Sequence, residues 1–154
     1  MSEKIIIGWR EWFSFPSLGL KKIKGKIDTG ARTSALHAFE VEPYRDKDVE
    51  MVRFLMHPKQ NDTDYIKECH AQVHDERWVT DSGGHRELRY VIQTDIQLGH
   101  RVWPIEMTLT NRDTMKFRML LGRTAMTDIL VDPGASYLQK KSKSGKETNN
   151  RESL

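Results

Sequence analysis

One cysteine, Cys69, stands alone among 154 residues, so no disulfide can form within the chain and the fold must rest on packing. Nothing around Cys69 resembles a catalytic-cysteine signature, and a small buried hydrophobe is expected there. Long apolar runs are missing too. None approaches the roughly 20 residues of a membrane-crossing helix. The opening Met1-Ser2-Glu3-Lys4 lacks the layout of a secretory signal, and a soluble cytoplasmic protein with no membrane partner is expected. An excess of one charge is absent from the body of the chain. The net charge of +3 resides in the segment after Leu138, where Lys140, Lys141, Lys143, Lys146 and Arg151 face only Glu147 and Glu152. A polar Lys/Ser/Asn tail of this kind is expected to be disordered. No aromatics interleave with its charges, so nucleic acid would bind weakly through it, if at all. There is no Gly-x-x-x-x-Gly-Lys run for a nucleotide and no His-Glu-x-x-His for a metal.

What is present is alternation with period two, the mark of half-buried strands. Leu88, Tyr90, Ile92, Ile96 and Leu98 share a face opposite Arg89, Gln93, Asp95 and Gln97, and Gly99-His100 turns the chain into a strand carrying Trp103, Ile105, Met107 and Leu109. Asn111-Arg112-Asp113 reads as a turn, and Met115 to Leu121 as an apolar strand ending at Gly122. Upstream, Ile5 to Ile7, Val49 to Met56 and the alternation of Cys69, Ala71 and Val73 read as strands, with a polar loop at Gln60 to Asp64. Only Arg123 to Ile129 looks helical, and Leu130-Val131 with Tyr137-Leu138 reads as a terminal strand. The four tryptophans, Trp9, Trp12, Trp78 and Trp103, are expected in the core or at an interface. Many short strands with regular turns indicate an all-β domain over residues 1–138, followed by the tail 139–154.

The strand Lys22 to Ile27 puts Ile23 and Ile27 on one side and Lys22, Lys24 and Lys26 on the other, then delivers Asp28 into Thr29-Gly30-Ala31. Gly30 permits a tight backbone. A carboxylate held by amides at the end of a buried strand is pre-organised for acid–base chemistry. An ordinary Asx turn would use the same residues. The balance shifts with a second run, Met119-Leu120-Leu121-Gly122-Arg123, about ninety residues later, an apolar strand ending at Gly-Arg.

In that order the two runs resemble the retropepsin-like aspartic peptidases. The flap of that family would correspond to Val79-Thr80-Asp81-Ser82-Gly83-Gly84-His85-Arg86. A narrower resemblance rests on Asp28 to His37, Leu109 to Asp113, Met119 to Arg123 and Leu130 to Pro133. It points to a bacterial branch often labelled "ATP-dependent zinc protease", associated with ATP-grasp enzymes that ligate glutamate and implicated in trimming poly-glutamate tails from a ribosomal protein. The resemblance implies a small closed β-barrel of retropepsin type with one short helix. It also implies an aspartic peptidase whose catalytic residues are Asp28, Thr29 and Gly30. Such chemistry needs two carboxylates sharing a proton. The chain has one well-formed motif, so a homodimer with one aspartate per subunit is expected.

The rival Asp132-Pro133-Gly134-Ala135 has proline in place of Thr29, and no second Leu-Gly-Arg follows it. Ala31, Arg32, Ser82, Gly83, Gly84 and Arg89 are the expected substrate-binding residues. Arg32 next to the motif would favour acidic or poly-glutamylated protein as substrate, while Lys22, Lys24 and Lys26 read as solvated strand residues. No cofactor is expected. His70 and His74, on a strand, would stand roughly 13 Å apart, too far to share a zinc. The alternative from another class is a catalytically silent domain of the same fold that binds a protein or the ribosome.

Overall fold

The computed structural model describes residues 3–59, 62–81, 83–111 and 116–139. Among the described residues eleven strands run in chain order: β1 Ile5–Ile7, β2 Arg10–Phe15, β3 Leu20–Asp28, β4 Ser34–His37, β5 Phe39–Asp46, β6 Val49–Met56, β7 Lys67–Thr80, β8 Arg86–Leu98, β9 Arg101–Thr110, β10 Met119–Gly122 and β11 Ile129–Val131. The domain is all-β. Nine strands form one sheet in the order β2-β3-β10-β4-β9-β8-β7-β6-β5, and β1 pairs with β11 in a separate parallel ribbon. The sheet returns on itself where Ser14 of β2 meets Gln97 of β8, a single residue pair. The result is a six-strand ring with a three-strand wing outside it, where a small closed barrel was expected. Inside the ring, Phe13, Phe15, Ile23, Leu36, Ile92, Ile96, Met107 and Met119 are fully buried. Each such side chain contributes roughly 1.5–3 kcal/mol on leaving water.

Several expected elements change in the structure. The helix expected at Arg123 to Ile129 is a single 3-10 turn, Arg123–Ala125, because Ile129 already pairs with Ile5 in the ribbon. A second 3-10 turn, Pro16–Leu18, closes onto Gly19 in the left-handed region. Tyr137-Leu138 joins no strand. Tyr137 has a φ of 57° and donates its N–H to the Arg10 carbonyl. The expected phase of β8 holds from Ile92 onward but inverts before it, so that Arg89 is buried and Leu88 is half exposed. The partner strand explains this. Val73 pairs with Ile92 and Asp75 with Val91, so His74 is an extra residue that turns the near half of the hairpin over. Cys69 is buried as expected, and burial pushes its thiol pKa up to about 11. Asn111 ends the description before the expected turn at Arg112-Asp113, and Gln60 and Met115 likewise lie outside the described residues. Among the described residues no helix is long and apolar enough to cross a membrane.

One buried acid ties the two ends of the domain together. Glu11 is 1% exposed. Its Oε2 accepts the N–H groups of Gly8 (2.7 Å) and Leu138 (2.8 Å), and its Oε1 accepts that of Gln139 (3.1 Å). Burial raises its pKa, and the three N–H bonds pull against that rise. The folded protein therefore keeps the Glu11 proton to higher pH than the unfolded chain, and wild type loses stability as pH rises through the window just above the ordinary 4.5. Glu11→Gln turns an amide NH2 towards converging donors. It is expected to cost about 1–3 kcal/mol in urea unfolding and to remove that part of the pH slope. Equal stability with an unchanged slope would contradict this role.

Candidate active site

Asp28 ends β3 and is half-buried, and its cross-strand neighbour on parallel β10 is Gly122. Its Oδ1 accepts the Gly30 N–H at 3.0 Å, and its carbonyl accepts the Ala31 N–H at 3.1 Å. This is the Asx turn that the tripeptide allows, and it is fastened from a distant part of the chain. The Arg123 N–H donates to the Ala31 carbonyl (2.8 Å), and both the N–H and the hydroxyl of Thr124 donate to the Arg32 carbonyl (3.1 and 2.8 Å). The Arg123 guanidinium reaches the Thr29 carbonyl at 3.5 Å. Gly122 makes this possible. A Cβ there would stand 2.6 Å from the carbonyl carbon of Thr33. Its N–H donates to the buried Ser34 hydroxyl at 3.0 Å. Thr29, Gly30 and Arg32 are exposed, and Ala31 is half-buried. The turn thus offers its outer surface to solvent while its carbonyls are held from beneath.

The same construction occurs a second time. Oδ1 of Asp132 accepts the Gly134 N–H at 3.0 Å, and its carbonyl accepts the Ala135 N–H at 3.2 Å. Beneath it runs β1, parallel to β11, and the Trp9 N–H donates to the Ala135 carbonyl at 2.8 Å, as Arg123 does to Ala31. A Cβ on Gly8 would collide with the Ala135 carbonyl. The glycine that serves Asp132 therefore comes from Ile6-Ile7-Gly8-Trp9, ahead of it in the chain, and not from a second Leu-Gly-Arg after Asp132. The apolar-apolar-Gly pattern shared by Ile6-Ile7-Gly8 and Leu120-Leu121-Gly122 is the sequence signal for it. The two turns are joined through Trp9, whose carbonyl accepts the Ile27 N–H.

The expected flap is the end of the β7–β8 hairpin. Oδ1 of Asp81 accepts the N–H groups of Gly83 and His85, both at 2.9 Å, and the Asp81 carbonyl accepts that of Gly84. Gly84 sits at a φ of +88°. Ser82 lies outside the described residues. Below the turn, Trp78 and Leu88 are cross-strand partners, 59% and 50% exposed, so Trp78 is not a core residue. The Arg86 guanidinium lies 4.6 Å from the Trp78 ring centroid. A shallow open depression of about 400 Å³ is lined by Asp81, His85, Arg86, Glu87 and Arg89. Asp28 does not line it.

Arg89 is 8% exposed. Its Nε donates to Glu87 Oε1 at 2.7 Å, and its Nη1 to Thr108 Oγ1 at 3.4 Å. Thr108 in turn donates to the Ser34 carbonyl at 3.2 Å. A polar chain thus runs from the flap strand through β9 to the residue that receives the Gly122 N–H. His70 pairs with Tyr44 and Glu68, and His74 with Glu106. Among the described residues no group of three or more His, Cys, Asp or Glu is placed to hold a metal ion, so the residues present do not fit a zinc site. No catalytic step is derived through one.

An Asp-Thr-Gly-Ala turn braced by an apolar-Gly-Arg strand is the construction of retropepsin-like domains. Residues 6–142 match the model of the RimB-like family, described as the retropepsin-like aspartic endopeptidase RimB, and the chain belongs to that family. It is also 48% identical over 135 residues to a probable alpha-L-glutamate ligase of Shewanella pealeana, and 47% identical over 138 residues to one of Parasynechococcus marenigrum. These matches cover 87% and 89% of this chain but only 30% of each relative, so the chain spans about three tenths of their length. A solved structure of a Legionella pneumophila protein of unknown function is 26% identical, with a TM-score of 0.74 over 88% of this chain and 98% of that one.

Gly122→Ala and Gly8→Ala both force a methyl group into backbone. Each is expected to lower stability by about 1–3 kcal/mol. Gly122→Ala should in addition expose the amides that Ala31 and Arg32 hold, read as faster hydrogen exchange at Arg123 and Thr124. Gly8→Ala should leave that exchange unchanged. Equal exchange in both variants would contradict two separately braced turns.

Proposed function

We propose that the chain is an aspartic peptidase working as a homodimer, with Asp28 of each subunit forming the catalytic pair, and that it hydrolyses amide bonds in acidic or poly-glutamylated protein. The observation that carries this reading is the Asp28 carboxylate, pre-set by the Gly30 N–H at 3.0 Å in a turn braced by Gly122-Arg123. Two such carboxylates at a two-fold axis would share one proton. Repulsion between like charges keeps one protonated as the acid for the scissile carbonyl, and leaves the other ionised as the base on the attacking water. Thr29 and Gly30 shape the turn. Ala31, Arg32, Gly83, Gly84 and, outside the described residues, Ser82 border the substrate path. Arg89 belongs to the same region but its guanidinium is engaged by Glu87 and Thr108, so its part is to hold the flap strand rather than to offer a free charge. Relatives named as glutamate ligases favour a glutamate-rich substrate.

The length of those relatives also favours a second reading, in which the domain is a silent binding module attached to a ligase. One experiment separates the two. Wild type and Asp28→Asn are incubated with a poly-glutamylated protein, and the products are weighed by mass spectrometry. Loss of glutamates is expected with wild type only, with activity tracking the dimer fraction in analytical ultracentrifugation. Equal loss with both proteins would remove Asp28 from the reaction, and full activity in a strictly monomeric sample would remove the dimer.

A further inference from the structure

Buried Ile23, Gly25 and Ile27 alternate along β3 with Lys22, Lys24, Lys26 and Asp28. Three ammonium groups and the Asp28 carboxylate therefore share one face of one strand. At ~3.3 Å per residue the lysines stand roughly 7, 13 and 20 Å from Asp28. Across the β2–β3 pair, Arg10 lies opposite Lys26 and Trp12 opposite Lys24, which adds a fourth cation to the same face. Glu11, the one acid of β2, is turned inward. Among the described residues Asp28 is the only carboxylate that β2, β3 and β10 place on this face, and none of Arg10, Lys22, Lys24 and Lys26 enters an ion pair. Unneutralised like charges in a row raise the local concentration of anions.

We propose that Lys22, Lys24 and Lys26 form a docking stripe for the anionic run of an extended acidic peptide, which they lead towards Asp28. The inference rests on the peptidase reading for the role of Asp28 and adds the place where the substrate's charge is read. The spacing favours a peptide. Alternate side chains of an extended chain repeat every two residues, as the lysines do, so a run of glutamates presents carboxylates at the same interval. A single-stranded nucleic acid would want open aromatic faces to stack on. Here they are occupied: Trp12 stacks on Tyr137 at 5.8 Å and carries Lys22 at 5.1 Å, while Arg10 lies over both Trp9 and Tyr137. The stripe also makes Arg32 the far end of a longer cationic path instead of an isolated charge beyond the turn.

The test uses the full chain carrying Asp28→Asn, so that nothing is consumed, and a labelled glutamate oligomer of about ten residues, read by fluorescence anisotropy at low salt, where surface pairs are least screened. Lys22→Gln/Lys24→Gln/Lys26→Gln is expected to weaken binding at least about tenfold, given three exposed pairs lost together. The three Lys→Arg changes should preserve binding, and Lys47→Gln, in the distant β5–β6 turn, should not alter it. Circular dichroism and thermal unfolding establish that the variants are folded. Unchanged affinity in the triple glutamine variant overturns the stripe, as does tighter, lysine-dependent binding of an oligouridylate than of the glutamate oligomer. The same triple substitution in otherwise wild-type protein keeps the two proposals apart. Cleavage that depends on Asp28 but not on the lysines sinks the stripe alone. Lysine-dependent binding with no cleavage by wild type sinks the peptidase reading alone.

Discussion

The structure depends on a backbone-to-backbone contact that only glycine permits. Gly122 brings β10 against Thr33 and Ser34 so closely that the next two residues, Arg123 and Thr124, can donate directly to the carbonyls of Ala31 and Arg32. Without that approach the Asp28 turn would be held only by its own two bonds, from the Gly30 N–H to the carboxylate and from the Ala31 N–H to the Asp28 carbonyl. With it, the carboxylate inherits the rigidity of the central sheet, since β10 is itself paired on both sides, with β3 and β4. Two buried groups here are satisfied in turn, the Gly122 N–H by the Ser34 hydroxyl and the Ser34 carbonyl by the Thr108 hydroxyl. That matters because a buried donor without a partner costs more than a made bond contributes.

The repeated use of this device organises the whole domain. Gly8 does for the Asp132 turn what Gly122 does for the Asp28 turn, and Trp9 links the two through Ile27. Glu11 then gathers Gly8, Leu138 and Gln139 around one carboxylate, which fastens the residues after β1 to those after Ala135 close to the second turn. One turn sits at the end of a strand of the ring with a cationic row leading to it, and the other sits on a two-strand ribbon beside Glu11 and the Leu138 and Gln139 amides. Equal local geometry therefore does not mean equal chemistry, because the surroundings differ. The flap hairpin is coupled to the first turn through Arg89 and Thr108, while its outer half presents Trp78 and Leu88 to solvent.

Much of this was legible in the chain. The Asp28 turn, the Leu121-Gly122-Arg123 brace, the side of β3 that each lysine takes and the glycine-bearing turn between β7 and β8 all follow from local pattern. The misses share a cause, in that each was decided by a partner distant in sequence. Arg123 to Ile129 has helical spacing but is claimed by pairing with Ile5. Leu88 and Arg89 exchange faces because His74 is an extra residue on the opposite strand. The second turn has no glycine brace after it in the chain, because parallel pairing of β1 with β11 draws the glycine from residue 8. Ring closure through Ser14 and Gln97, with a wing of three strands outside, has no local signature at all.

By itself the sequence determined the all-β class, the faces of β3 and of β8 from Ile92 onward, and the turn at the candidate aspartate, because period-two alternation and turn chemistry act over a few residues. Only the tertiary structure decided which glycine braces which turn, that Arg89 is buried and engaged instead of free, and that β2 and β10 bring no carboxylate to the face of Lys22, Lys24 and Lys26. Those outcomes depend on register and close approach between segments up to 127 residues apart, and register is a property of the paired sheet and not of either strand alone.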